Sequence, residues 1–554
     1  MKRSFVICGI VLLLNACGDK SDSPVPVTPK QITVRSSLLN NATFAETHYM
    51  APLQPQLKFV FSEPVLKSTV ANAISFTDLG GIQVPYSLTY QQGDSVVLIQ
   101  PDNKLAGTTK YQFKITNALR SASNGAFTNP VDKLIITQID STRKFPAISD
   151  NELLDKVQQQ TFKYFWDFGH PVSGLARERN TSGDVVTSGG SGFGIMSIVV
   201  GVERGFVTRA QGLARMQTIV SFLKNTAVKV KGAFPHWLNG ATGAIQPFSS
   251  NDNGADLVET SYLMMGLLTA RQYFNGADAA ETTLRADINT LYNNVEWDWF
   301  RNGNQNVLYW HYSPDKGWVM NMQIKGWNEC LITYVLAASS TTHGVPAIVY
   351  TNGWASNGNA GFVNGGTYGS YQLPLGPSYG GPLFLAHYSF LGINPNGLSD
   401  AYANYYTQNR NHTLINRYYC MSSGLAGSGY SDSIWGLTAC DIPGGYTACS
   451  PTNDRGVIAP TAALSSMPYT PAESMAALKF YYYVLGDKIW KEYGFVDAFA
   501  LRETWFTSSF LAIDQGPIII MLENYRSGLL WNLFTSCPEV KTGMRSLGFT
   551  APYL

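Results

Sequence analysis

Charge is scarce in this chain. Only 14% of its 554 residues are Asp, Glu, Lys or Arg, and 39 basic against 38 acidic side chains leave a formal charge of +1. No basic block breaks that balance, so a nucleic-acid partner has no electrostatic footprint to recognise. A strongly acidic or basic substrate is not implied either. Cysteine is sparse too. Of seven, Cys8 and Cys17 fall in the N-terminal segment, and Cys330, Cys420, Cys440, Cys449 and Cys537 are loosely spaced. No CxxC pair occurs, so a zinc site has no basis. Cys440 and Cys449 could bridge in an oxidising compartment, or all five could be free buried thiols. Beyond the N-terminus no run of ~20 uncharged apolar residues appears, so no transmembrane helix is expected. A nucleophile elbow, a P-loop, an HExxH and a dinucleotide fingerprint in a matching context are all missing. TSGGSGFGIM (187–196) is glycine-rich before a helix, but no strand and phosphate-loop lysine accompany it. No fixed internal repeat points to a solenoid.

Apolar and aromatic residues are plentiful. The chain is 45% hydrophobic, with 30 Tyr, 28 Phe and 12 Trp. That composition builds a large core and argues against disorder. The aromatic excess fits either that core or a cleft that stacks flat apolar faces such as sugar rings. The first residues, MKRSFVICGIVLLLNAC, combine Lys2 and Arg3 with an apolar run and small residues, the pattern of a secretory signal over 1–16. Its end, Leu14-Asn15-Ala16-Cys17, resembles the bacterial lipobox. Cys17 is therefore the expected lipidation site, 17–30 a polar tether, and the cell envelope the expected location, with the membrane engaged through the acyl chains.

Two textures follow. Residues 31–141 carry period-two runs, LKFVFSEPV (57–65), SVVLIQP (95–101) and YQFKITNAL (111–119), separated by turn clusters. They predict a small all-β sandwich. The stretch resembles bacterial Ig-like domains, with an FSEPV strand followed by an LxPxxxLxxGTxYxxxI pattern from Leu98 to Ile115. From 142 to 554 the period becomes helical. Helices are predicted near 151–168, 194–204, 208–225, 257–274, 281–297, 325–339, 383–391, 398–411, 458–466, 471–485, 495–503 and 513–525. Several are apolar almost all round and must be buried. About a dozen helices, alternately buried and amphipathic, fit two concentric rings: an all-α (α/α)6 barrel, expected to act as a monomer.

The scarce acid is concentrated at helix starts. In SNDNGADLVET (250–260), Asp252, Asp256 and Glu259 precede or open an apolar helix, and Asp256 and Glu259 share one face at i and i+3. Glu329 stands in IKGWNECLITYVLAASS (324–340) beside Trp327 and Asn328. Asp514 stands in FLAIDQGPIIIMLENY (510–525). Each could simply cap its helix. Together they offer the carboxylate pair that runs glycoside hydrolysis, one group protonating the leaving oxygen and the other activating water or attacking the sugar. His236 and Trp237 in FPHWLNG, Trp310 and His311 in LYWHYSP, Tyr379 in LGPSYGGPLF and Arg177 in GLARERN suit ring stacking and hydroxyl bonding, although loop packing explains any one of them as well.

TSGGSGFGIMSIVVGVERGF, GAFPHWLNG, DNGADLVETSYLMMGLL, GWNECLITYVLAASS, YGGPLFLAHYSFLG, ALSSMPYTPAESM and AIDQGPIIIMLENYRSGLLW resemble the bacterial glucoamylase-like proteins of glycoside hydrolase family 144. The resemblance runs from about 150 to the C-terminus. It implies an (α/α)6 fold and inverting hydrolysis of β-1,2-glucan or its oligosaccharides, endo-acting or releasing sophorose, with no metal or organic cofactor. By motif it implies Glu329 as general acid and Asp514 as general base, with Asp252, Asp256 and Glu259 lining the cleavage region. A surface glycan-binding lipoprotein without catalysis, or an enzyme for another glucan linkage, are the alternatives.

Overall fold

A computed structural model of the chain describes residues 28–554. The signal segment, Cys17 and most of the tether lie outside the described residues. The chain divides into two compact units, Met1–Gln138 and Ile139–Leu554.

The first unit is a β-sandwich. One sheet holds β1 (Val34–Leu39), β2 (Ala42–Thr43), β4 (Leu57–Phe61), β6 (Tyr86–Gln91) and β7 (Val96–Pro101) in the order β2-β1-β4-β7-β6. The other holds β3 (Thr47–Ala51), β5 (Ile74–Asp78), β8 (Lys110–Ile115) and β9 (Val131–Thr137) in the order β3-β9-β8-β5. Alternation decides the faces. In β4, Leu57, Phe59 and Phe61 point inward while Lys58 and Val60 are half-buried. Phe59 and Phe113 stack across the two sheets with centroids 5.4 Å apart, and Phe76 meets Phe113 edge-on. A short helix, α1 (Lys67–Ala73), joins β4 to β5.

The second unit is helical. Its inner elements are buried nearly throughout: α3 (Ser188–Glu203), α5 (Leu257–Tyr273), α7 (Leu331–Ser339), tight turns over 383–391, α10 (Pro460–Leu464) and α13 (Ala512–Arg526). Each packs on the next, and α13 returns to α3 to close the ring; His387 Nε2 lies 2.9 Å from Ser466 Oγ between the turns and the segment after α10. Alternating with them in the chain are α2 (Asp150–Trp166), α4 (Arg209–Asn225), α6 (Ala279–Asn293), α8 (Ala347–Asn352), α9 (Tyr405–Ser422) and α11 (Pro471–Tyr483), which form the outer layer. Their starts are chemically marked. Ser149 with Glu152, and Thr208 with Gln211, make reciprocal capping boxes on α2 and α4. The innermost contact is set by glycine. A Cβ on Gly192 of α3 would stand 2.1 Å from the Tyr262 carbonyl oxygen, and one on Gly266 of α5 would stand 2.2 Å from the Gly192 oxygen. The backbones of α3 and α5 thus touch. Three further helices, α12 (Gly486–Ile489), α14 (Leu529–Thr535) and α15 (Pro538–Ser546), complete the unit. Among the described residues no helix is long and apolar enough to cross a membrane.

Several predicted boundaries move. The helix expected over 325–339 begins only at Leu331, because Gly326 adopts φ +82° and keeps GWNE in a loop. The one expected over 398–411 begins at Tyr405, where Asn404 caps it by accepting the Thr407 N–H. The stretch 495–503 is not helical. Gly494–Phe495 and Phe499–Ala500 are two-residue strands paired with Trp490–Lys491 and Trp505–Phe506.

Candidate active site

The head of α5 gathers five ionisable groups. Asp256 caps the helix: its Oδ1 accepts the N–H groups of Val258 (3.0 Å) and Glu259 (2.9 Å). Its Oδ2 lies 3.0 Å from His236 Nδ1. Asp256 also belongs to a two-residue strand (Ala255–Asp256), which pairs with a second (His311–Tyr312) and sets Asp256 opposite His311. His311 Nε2 therefore stands 3.5 Å from Asp252 Oδ2 and 3.6 Å from Asp256 Oδ2. One turn on, Glu259 reaches α3. Its Oε2 accepts the Gly189 N–H (2.7 Å) and the Thr187 hydroxyl (3.2 Å), a carboxylate seated on a helix N-terminus. Its Oε1 is 4.0 Å from His236 Nε2. His236 thus bridges Asp256 and Glu259.

Charge follows from this packing. Burial alone would push the His236 imidazole down, but Glu259, Asp256 and Asp252 hold it at about 9. Burial would raise the Asp256 carboxyl, yet the His236 hydrogen bond and the nearby imidazoles keep it below its ordinary value. Glu259 and Asp252 are pushed up, first by burial and then, for both, by the Asp256 charge, which His236 partly offsets. Among the described residues, His236, Asp252 and Asp256 are the group that could hold a cation, with one ligand atom each within 4.8 Å of the others. The 3.0 Å contact between His236 and Asp256 is a hydrogen-bond distance.

Glu329 lies two residues before α7. Its carbonyl oxygen accepts hydrogen bonds from the Ser389 and Tyr262 hydroxyls, which fix the backbone. Protein surrounds the carboxyl, and burial, with the charges of Glu259 and Asp256, pushes it up to about 7. It opens on a cavity of about 490 Å³, within the range of small-ligand sites. Three carboxylates line it: Glu329, Glu259 and Glu178. So do His236, Arg179 and the aromatics Trp237, Phe248, Trp310, Phe384, Tyr388 and Tyr446. Phe248 stacks near His236 (centroids 4.4 Å) and Trp237 (4.8 Å) at the rim.

A second acidic group occupies the other flank. Arg179 Nε is 2.9 and 3.1 Å from the two Glu178 oxygens, and its Nη1 is 3.2 Å from Asp441 Oδ1. Asp441 lies in a hairpin, Ala439–Ile442 with Gly445–Ala448, directly opposite Tyr446. Asp514, in the first turn of α13, stands one layer back. Leu511 and Ile513 face the cavity, but Asp514 is 2% exposed and is not on the wall. It lies beside Tyr388 and Tyr446, whose phenols feel its charge. Burial, then Asp497, pushes its carboxyl well above the usual range.

The remaining residues singled out in the sequence sort plainly. Glu259, Glu329, His236, Trp237 and Trp310 meet at the wall, with Asp252, Asp256 and His311 directly behind it. Trp327 packs into Trp354 and Tyr405. Asn328 Oδ1 accepts the Trp354 indole N–H and the Cys330 N–H. Tyr379 stacks on Tyr368, and the Arg177 guanidinium covers the Phe168 ring. None of these four faces the cavity. Glu178 and Arg179, in the same GLARERN segment as Arg177, do. Phe248, Tyr388 and Tyr446 carried no signal in the sequence. All five downstream cysteines are free and buried, so the expected option of a Cys440–Cys449 bridge is not realised.

The comparisons agree on the kind of protein. The family model described as "Putative glucoamylase" matches residues 321–538, and the bacterial Ig-like domain matches 31–135. An exo β-1,2-glucooligosaccharide sophorohydrolase (non-reducing end) of Parabacteroides distasonis is 44% identical over 432 residues, 74% of this chain and 60% of that protein. The chain thus spans about three fifths of the length of that curated relative. Among solved structures, an endo-β-1,2-glucanase from Chitinophaga pinensis, in complex with sophorotriose and glucose, is 50% identical (TM-score 0.71), covering 74% of this chain and all of that one. A protein from Bacteroides uniformis with the same glucoamylase description is 54% identical (TM-score 0.72) with the same coverage. A β-1,2-glucanase from Parabacteroides distasonis is 36% identical over 93% of this chain and 72% of its own (TM-score 0.71).

Proposed function

Because the chain belongs to the glucoamylase-like family of β-1,2-glucan hydrolases, of the glycoside hydrolase family 144 type, we propose that its helical unit hydrolyses β-1,2-linked glucan or glucooligosaccharides with inversion. One observation carries the assignment: Glu329 opens on a sugar-sized, aromatic cavity with its carboxyl held up at about 7. A carboxyl so placed keeps about half its population protonated at pH 7, where an ordinary glutamate is almost wholly ionised, and so can donate a proton to the glycosidic oxygen. As the C1–O bond breaks, water adds to C1 from the opposite face. Its proton passes to Asp514, which accepts it in the ionised form that burial and the Asp497 charge disfavour. Since Asp514 lies behind Ile513 and Tyr446, transfer runs through an intervening hydroxyl of the sugar or of the wall. His236, charged between Asp256 and Glu259, and the rings of Trp237, Phe248 and Trp310 hold the sugars.

A second reading of the acceptor rests on Glu178, which stands on the wall itself as an ion pair with Arg179. Glu178→Gln and Asp514→Asn, compared side by side, separate the two: the true acceptor loses turnover with little change in KM. Glu329→Gln is expected to lose about 10²–10⁴-fold in kcat on β-1,2-glucan while still binding it; near-normal turnover overturns the assignment. Product analysis divides the finer alternatives, since sophorose alone means exo action and a ladder means endo. The envelope location read from Cys17 belongs to the same proposal and is checked by fatty-acid labelling of wild type against Cys17→Ala.

A further inference from the structure

The hairpin on the second flank of the cavity forms part of its wall. Its strands, Ala439–Ile442 and Gly445–Ala448, pair Ala439 with Ala448 and Asp441 with Tyr446, so these four side chains share one face. Cys440, paired with Thr447, falls on the other. Of the four, Ala439, Tyr446 and Ala448 line the cavity. Tyr446 is nevertheless 45% exposed. Among the described residues its ring stacks on no aromatic ring and its hydroxyl makes no hydrogen bond.

The hairpin that carries this ring is tethered on both strands. Cys440 and Cys449, at its base, are buried. The Asp441 N–H donates to Asp497 Oδ2 (2.7 Å), and the Asp441 carboxylate accepts the Ser509 hydroxyl and faces Arg179 Nη1 (3.2 Å). On the return strand, Asn453 Nδ2 donates to the Ala448 carbonyl (2.9 Å). A ring held in this way loses little freedom when a ligand covers it. The rest of the wall says what kind of ligand that is. The methyl groups of Ala439 and Ala448 share the face of the ring, and Arg179 and Glu178 bring hydrogen-bonding groups to the same cavity. A flat apolar surface, bordered by small side chains and met by polar ones, matches a pyranose, with its apolar C–H face and its edge of hydroxyls.

We propose that Tyr446 is a substrate-binding residue: its ring stacks on one glucose unit of the glucan, and the small side chains of Ala439 and Ala448 leave the room that this unit needs. The inference rests on the reading of the cavity as the glucan site; it does not depend on which carboxylate receives the proton of water.

A stack of this kind holds bound substrate and transition state alike, so its loss belongs in KM and not in kcat. Tyr446→Ala should raise KM for short β-1,2-glucooligosaccharides about tenfold with kcat within about twofold of wild type. Tyr446→Phe keeps the ring and should stay within about threefold in both. Ala448→Leu fills the space instead of emptying it and should raise KM by a factor similar to that of Tyr446→Ala. Both side chains are exposed, so the variants are expected to fold as wild type does. Calorimetric titration of the same oligosaccharides in a Glu329→Gln background should rank the affinities in the same order. The proposal falls if Tyr446→Ala leaves KM and affinity unchanged, or if it lowers kcat with KM unmoved. It falls if Tyr446→Phe is as weak as Tyr446→Ala, since the hydroxyl and not the ring would then be the contact. A normal KM in Ala448→Leu also defeats it, because no sugar would then occupy the space beside the ring. If Glu329→Gln alone binds no β-1,2-glucooligosaccharide, the substrate reading fails instead, and the same variants titrated with the glucan linkage that it does bind decide the stack.

Discussion

An exposed glutamate is ionised from about pH 4.5 upward; Glu329, pushed to about 7 by burial, resists ionisation across the interval. Unfolding releases it to ionise, so between those values the unfolded chain binds fewer protons than the fold. Stability then falls as pH rises, by about 1.4 kcal/mol for each pH step between the two values, or roughly 3 kcal/mol at most. The cost is absent below pH 4.5 and complete above 7. Glu329→Gln removes it. The variant should melt a few degrees above wild type at pH 8, with the difference shrinking toward pH 5; an equal difference at both pH values would mean that the gain comes from packing and not from the proton. His236 moves stability in the same direction with pH, but as a favourable contribution and not a cost. Its imidazole is held at about 9, so its contribution is complete below 6.5 and fades as pH rises through 9. These acids were legible in the sequence because a chain so poor in charge put them at the heads of apolar helices. Trp327, Asn328 and Tyr379 looked equally suitable and are not on the wall. Their residue types fit a sugar site, but the direction of a loop side chain is set by its packing neighbours, here Trp354 and Tyr368, and no local pattern encodes those.

Elements transmit the position of these residues, and α3 against α5 is the pair that matters most. Glu259 is tied to the Gly189 N–H in the first turn of α3, and three residues on, Gly192 lets the two backbones touch. Gly192→Ala must drive a methyl into the Tyr262 carbonyl. Overpacking of this kind costs about 1–3 kcal/mol, and separating the helices also pulls Gly189 away from Glu259. The expected result is a lower melting temperature together with a raised KM, because His236 loses one of the two carboxylates that orient it. A variant that melts early yet binds substrate normally would show that Glu259 follows α5 independently of α3. The inner helices could be read from sequence because they are apolar on every side, and a ring of such helices needs an amphipathic layer around it. The segment 495–503 could not. Seven mostly apolar residues fit a helix or a strand equally well, and what decides between them is Asp497, whose backbone and carboxyl bonds tie it to the 509 and 441 segments and not to a helical turn.

At the scale of the whole molecule, the two units keep separate cores. The sandwich core is built from residues between Ile32 and Ile135, the barrel core from residues beyond Leu153. Every residue lining the cavity belongs to the unit Ile139–Leu554, and so do both groups of carboxylates. A unit of that size buries enough apolar surface to fold alone. Residues 139–554 expressed by themselves should therefore unfold in a cooperative transition and hydrolyse short β-1,2-glucooligosaccharides with kcat/KM within about threefold of the full chain. Short substrates are the informative choice, because they are confined to the cavity and do not extend to surfaces beyond it. If the fragment is folded by circular dichroism yet more than about tenfold slower on them, the sandwich shapes the cavity itself. If it is impaired only on long glucan, the sandwich contributes to capture of the polymer and the chemistry is complete without it.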